Sequence, residues 1–181
     1  MIPNHPGTRR QYHGTPYIFP DLDEYRTKDL YTPVDNEDGW MQYEGRRDNL
    51  IVLSNGEKIN PLPLEEIIGS SPAVKGAVIM GEYRFLPSLL VEPSDNNPVQ
   101  REELLEIIWP TIEKANATAP QFSRIARSLV YIFSPNESFS RAGKGTIQRQ
   151  VTVKNFTRQI EDIYSSAELG LLAEGLDVSD P

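Results

Sequence analysis

Three short segments of the chain gather charged side chains on turns rather than on periodic elements. They are Tyr25-Arg-Thr-Lys-Asp29-Leu, then Gly45-Arg46-Arg47-Asp48 feeding into Gly56-Glu-Lys-Ile-Asn-Pro61, and last Arg141-Ala-Gly143-Lys144-Gly145-Thr-Ile-Gln-Arg149. The chemistry open to such groups is hydrogen bonding and charge stabilisation rather than nucleophilic attack. The chain has no Cys, which removes disulfides, thiolate catalysis and Cys-based zinc sites together. Its two histidines, His5 and His13, sit near the start and leave no Ser-His-Asp triad or His-rich metal site in the body of the chain.

Taken singly, each segment has a purely structural explanation. Asp29 can cap a turn, Arg46 can pair with a surface carboxylate, and Gly143-Lys144-Gly145 can be an exposed loop tip. The third segment also imitates the phosphate-binding Gly-x-x-x-x-Gly-Lys-Ser/Thr loop, but it fails the comparison. Ser138 stands at the first Gly, Gly145 follows the Lys, and no helix opens directly there.

The elements that must position these turns follow from periodicity. Residues 1–24 are rich in Pro, Gly and Tyr and read as irregular, loosely held chain. Leu50-Ile-Val-Leu53 and Lys58-Ile59 flank Ser54-Asn55-Gly56, which predicts two short strands around a tight turn. Pro61 and Pro63 ahead of Leu64-Glu-Glu-Ile-Ile68, with Gly69 after it, punctuate a short helix. Strands are expected over 73–80 and 86–91, joined by Gly81-Glu-Tyr-Arg84, and again over Ser128-Leu-Val-Tyr-Ile-Phe133. Leu104, Ile108 and Ile112 mark a helix over 99–115, with a kink or fresh start at Pro110. Phe156, Ile160 and Ile163 mark a last helix, and the acidic stretch beyond Ser165 reads as a frayed tail. The fold class is therefore α+β, a three-stranded sheet with packed helices, preceded by a β-hairpin and an irregular N-terminal segment.

Composition narrows the function further. With 18 Lys+Arg against 26 Asp+Glu over 181 residues, the net charge of −8 argues against a general nucleic-acid binder. No apolar run approaches the roughly 20 residues of a membrane-spanning helix, and the N-terminus lacks a secretory pattern. The expectation is a cytoplasmic protein with no membrane and no nucleic-acid partner. At 38% hydrophobic residues and 15 Pro, the chain suits one small core with long connections.

In order and spacing, the three segments resemble the last signature motifs of the adenylate-forming superfamily. That family reads Tyr-Arg-Thr-Gly-Asp-Leu, then Gly-Arg-x-Asp with a following Gly-x-x-Ile, and a Gly-Lys near the C-terminus. The wording Leu53-Ser-Asn-Gly-Glu-Lys-Ile-Asn-Pro61 and Arg141-Ala-Gly-Lys-Gly-Thr-Ile-Gln-Arg149 resembles the NRPS-like, carboxylate-reductase type of adenylation domain. The likeness covers about Tyr25 to Tyr164.

The resemblance implies roles for individual residues. Asp29 would accept hydrogen bonds from the ribose hydroxyls of ATP, as an acceptor-only group that takes two donors. Arg46 would support the same ribose and phosphate region, and Tyr43 would pack beside the nucleotide, unless it is a strand residue of the core. Asp48 would be the hinge between a large and a small subdomain. Lys144 would be the catalytic residue bridging the attacking carboxylate and the α-phosphate, and the turn at Gly56 would face a phosphopantetheine thiol. Two positions depart from the pattern: Lys28 replaces a common Gly, and Val52 replaces a common Lys. Glu65 and Glu66 match acids of a short helix and read as structural.

The resemblance also divides the chain. Residues 1–47 would be the end of the large adenylation subdomain, 48–165 the mobile C-terminal subdomain, and 166–181 an acidic linker or tail. The implied reaction forms acyl-AMP from an acid and ATP, with Mg²⁺ screening the phosphates, and then passes the acyl group to a carrier protein or coenzyme A. The family's phosphate loop and acyl pocket precede these motifs, so the chain is expected to be inactive alone. The rival expectations are a non-catalytic docking module and a truncated relic.

Overall fold

A computed structural model describes residues 2–3, 18, 21, 24–34, 40–46, 49–95 and 100–173. The chain divides into two compact units, 1–49 and 50–181.

In the first unit, strand β1 (Ile2–Pro3) pairs antiparallel with β2 (Glu24–Tyr25), so the stretch read as irregular is bounded by a small bridge. Strands β3 (Asp29–Pro33) and β4 (Met41–Arg46) form an antiparallel hairpin whose register slips between Leu30 and Tyr31. The slip decides which side chains meet. Tyr31 faces Tyr43 and Pro33 faces Met41, and continuing that register would set Asp29 against Gly45; the bulge instead sets it against Arg46.

Lys28, just before β3, has φ +66°. This is the left-handed conformation that the usual Gly adopts without strain. The residue that replaces the motif's Gly thus sits at a position whose conformation favours Gly.

The second unit begins with β5 (Ile51–Val52) and β6 (Lys58–Ile59), an antiparallel hairpin as expected. Helix α1 (Leu62–Gly69) follows, with Pro63 in its first turn and the Leu62 N–H donating to Asn60 Oδ1 at 3.3 Å. Strand β8 (Ser88–Pro93) is the centre of the main sheet. It pairs antiparallel with β7 (Val74–Met80) and parallel with β9 (Val130–Ile132). The segment 128–133 is not strand throughout, because Arg127–Leu129 forms a 3-10 turn before β9 starts.

Both faces of this sheet are covered, which explains why its strands read as continuous apolar runs. On one face Ala77, Ile79, Leu89, Val91, Val130 and Ile132 pack with Leu64 and Ile68 of α1 and Leu104, Ile108 and Ile112 of α2 (Arg101–Ala117). On the other, Val78, Met80 and Leu90 pack with Phe156, Ile160, Ile163 and Tyr164. Phe133 stacks on Phe156 with centroids 4.3 Å apart.

Two expectations about helices change. Helix α2 runs through Pro110 without restarting, because Glu106 and Pro110 both lie on its exposed face, where water can take the freed carbonyl. The last helix is two helices, α3 (Arg149–Asn155) and α4 (Thr157–Ala173), with Phe156 at the joint. Helix α4 continues past Ser165 instead of fraying there. Buried Ala167 extends its apolar stripe, and Ser166 Oγ donates to the Asp162 carbonyl at 2.8 Å.

Candidate functional site

In the first unit, the bulge brings the Arg46 guanidinium to 3.7 Å from the Asp29 carboxylate. Asp29 is only partly exposed, and its backbone N–H donates to Thr27 Oγ1 at 3.3 Å. The result is a carboxylate held at the start of a strand with a guanidinium beside it. Two residues further on, Tyr31 and Tyr43 meet edge-to-face with centroids 5.5 Å apart. Tyr43 is 54% exposed, so within this unit it is not a core residue; Trp40 and Met41 are exposed beside it in sequence. Asp48, the expected hinge, lies outside the described residues.

In the second unit, the Lys144 segment is a small hairpin. Its arms close through an Arg141–Ile147 bridge, with Gln148 N–H donating to Ser140 O at 2.8 Å and Ala142 N–H to Thr146 O at 2.9 Å. Gly145 N–H donates to Ala142 O at 2.8 Å, and Gly145 takes φ +82°, which turns the chain back. Lys144 is at the tip and exposed. A Cβ added at Gly143 or Gly145 would meet nothing within 4 Å, so the tip is open on both sides.

The three cations of this segment are treated differently by the fold. Arg141 Nη2 lies 2.7 Å from the buried Glu92 carboxylate. Arg149 Nη2 donates to both Glu65 oxygens at 2.7 Å, and its other amino group donates to the Ile79 carbonyl. Lys144 makes no hydrogen bond or ion pair among the described residues. Burial raises the Glu65 carboxyl above the usual carboxylate range, with Arg149 and the Ile79 N–H opposing the shift.

The turn at Gly56 is a second open tip. Gly56 has φ +83° with nothing near its Cβ position, and Gly56 N–H donates to Leu53 O at 3.0 Å. The loop after β7 braces this hairpin, since Tyr83 N–H donates to Val52 O at 2.8 Å and Ser54 N–H to Arg84 O at 3.0 Å. Val52, where a Lys was missing, is thus a paired strand residue.

The motifs did not reveal Glu92 or its pairing with Arg141. A signal for it exists in the sequence: Leu89-Leu-Val91 is an apolar strand, and a carboxylate closing it has to find a partner. Neither Lys144 nor Gly56 lines the groove of about 710 Å³ between Lys75, Glu92, Arg101, Tyr131 and Glu137. Among the described residues no group of three or more His, Cys, Asp or Glu could hold a metal ion. No helix of the described residues is long and apolar enough to cross a membrane.

A three-stranded mixed sheet covered on both faces by helices is the fold of the C-terminal subdomain of adenylation domains. Solved structures bear this out at the level of fold. The adenylation domain of a carboxylate reductase from Mycobacterium chelonae aligns with TM-score 0.64 at 17% identity, covering 83% of this chain and 25% of that one. The A-PCP didomain of carboxylic acid reductase from Segniliparus rugosus, in complex with AMP, aligns with TM-score 0.62 at 18% identity, covering 92% and 24%. Residues 48–168 match the family described as AMP-binding enzyme C-terminal domain, and the chain belongs to that family. It is also similar to a carboxylic acid reductase of Neurospora crassa, 42% identical over an alignment of 174 residues that covers 94% of this chain and 16% of that protein. The chain thus spans about a sixth of the length of that relative.

Proposed function

We propose that the chain is the end of the large subdomain and the mobile C-terminal subdomain of an enzyme that activates a carboxylic acid with ATP. The observation that carries this reading is the contrast within 141–149. Two cations are tied into the fold, and Lys144 alone is presented at an open tip. A ligand-facing role explains that arrangement, and a packing role does not.

In the adenylating step the substrate carboxylate oxygen attacks the α-phosphorus of ATP. The new P–O bond forms as the bond to pyrophosphate breaks, giving acyl-AMP. Lys144 stabilises the charge that redistributes over the carboxylate and α-phosphate. Asp29 accepts the ribose hydroxyls, Arg46 orients Asp29 and supports the same region, and Tyr43 lies along the nucleotide.

Rotation about Asp48 then withdraws Lys144 and presents the Gly56 turn to a phosphopantetheine thiol. The sulfur attacks the acyl carbon, AMP leaves, and the thiol proton passes to AMP or solvent. A carrier protein fits the wording of the motifs, and coenzyme A is the other acceptor. On this reading the protein is cytoplasmic, residues 1–47 belong to the large subdomain, the mobile subdomain runs from 48 past 165 to the end of α4, and the large subdomain is the obligatory partner. The test is carboxylate-dependent ATP–pyrophosphate exchange with and without a supplied large subdomain. Exchange is expected only with it, and robust exchange by the 181-residue chain alone contradicts the reading.

A further inference from the structure

Lys144 sits on a long, flexible side chain between two glycines, so its precision has to come from the base of its hairpin. Two residues of the main sheet form that base. Gly76 in β7 is one. A Cβ there would stand 2.9 Å from Phe139 Cδ2, 3.1 Å from Arg141 Nη2 and 3.1 Å from Ile147 Cδ1. All three belong to the hairpin or lead into it. Phe139 is 4% exposed and packs on Phe133 at 4.6 Å between centroids, so it has nowhere to retreat. A glycine inside a strand marks such a close approach.

Glu92 at the end of β8 is the other. Its carboxylate is 3% exposed, accepts the Phe139 N–H at 3.2 Å and meets Arg141 Nη2 at 2.7 Å, with Lys75 Nζ at 3.7 Å. A buried carboxylate is harder to accommodate than an apolar side chain of similar volume. What it supplies here is a fixed height and direction for the outgoing arm of the hairpin.

We propose that Gly76 and Glu92 are positioning residues for Lys144, seating its hairpin on the sheet so that the ammonium reaches the reacting groups in one orientation. This rests on the adenylating role given above to Lys144. Glu92→Gln keeps an acceptor for the Phe139 N–H but removes the negative charge that faces Arg141. Gly76→Ala keeps every charge and lifts the hairpin.

Two measurements test it. The first is amide exchange in the 181-residue chain. Either substitution should speed exchange at Ala142 and Gly145 by roughly tenfold or more while Leu90 in β8 is unchanged. Unchanged exchange at Ala142 and Gly145 in both variants overturns the seat. The second uses the chain joined to a large subdomain. A small misplacement should lower acyl-AMP formation by on the order of ten- to a hundred-fold, with thioester formation from supplied acyl-AMP retained. In a Lys144→Ala background, Glu92→Gln should add no further loss. A full additional loss in that background, or equal losses in both half-reactions, overturns the positioning role. If Lys144→Ala itself leaves adenylation intact, the adenylating reading falls and takes this role with it. The exchange result would still stand as a fact about the hairpin.

Discussion

Arg149 and Glu65 lie 84 residues apart and meet through a bifurcated contact, with Arg149 Nη2 at 2.7 Å from each carboxylate oxygen. Glu65 Oε1 also accepts the Ile79 N–H at 2.6 Å, and Arg149 donates to the Ile79 carbonyl. One ion pair thus ties α1, the middle of β7 and the residue after the Lys144 hairpin. Both side chains are largely buried, Arg149 at 20% and Glu65 at 13% exposure.

Removing one partner of such a pair leaves an uncompensated charge. Arg149→Met should destabilise the second unit by about 3–5 kcal/mol. Denaturant unfolding followed at Trp109 measures it. A loss under 1 kcal/mol would mean that the pair is as weakly coupled as an exposed one.

The raised Glu65 carboxyl gives stability a pH dependence of definite sign. Between its ordinary and its raised value, the folded chain holds the proton more tightly than the unfolded chain does. Its contribution to stability therefore falls as pH rises through that window and is constant above it. Glu65→Gln should remove this fall, seen as the difference in slope between the two unfolding-versus-pH curves. An unchanged slope, or a Glu65 titration midpoint below the usual carboxylate range, contradicts it.

Lys28 at φ +66° carries the strain of a non-glycine residue in the left-handed region. Lys28→Gly should stabilise the β3–β4 hairpin by about 1 kcal/mol, offset in part by the greater freedom of Gly in the unfolded chain. Lys28→Val should destabilise it by more. Amide exchange at Leu30 reports both, and no difference between the two substitutions would count against the turn.

Much of this was legible in the sequence because the physics was local. The Asn55-Gly56 turn, the Pro-bounded helix α1 and the Leu104/Ile108/Ile112 stripe each announce themselves within a few residues. The 3-10 turn at Arg127–Leu129 was hidden because Leu129 is as apolar and buried as a strand residue. The extension of α4 was hidden because small and acidic residues outnumber the apolar ones after Ser165, although Ala167 keeps the stripe. The candidate site residues rest on motif wording alone, and the pairings that hold their segments in place do not show in it. Glu92 with Arg141 and Glu65 with Arg149 are pairings across 49 and 84 residues that no local pattern encodes. The bulge that sets Arg46 opposite Asp29 is likewise a property of two strands together.

In an enzyme reconstituted with a large subdomain, Asp48→Pro should slow thioester formation more than adenylation. Fixing φ at the proposed hinge impedes rotation while leaving the adenylating pose accessible. Separate assays of the two half-reactions decide this, and a loss confined to adenylation would place the hinge elsewhere.

The most direct test of the central claim is Lys144→Ala in the same reconstituted enzyme, with each half-reaction measured by itself. Acyl-AMP formation, followed by pyrophosphate exchange, should slow by roughly 10²–10³, about 2.7–4 kcal/mol, as when one preorganised donor to a developing charge is lost. Thioester formation from supplied acyl-AMP should be nearly unchanged. Little change in either half-reaction would show Lys144 to be an ordinary exposed loop residue, and equal losses in both would contradict a role confined to adenylation.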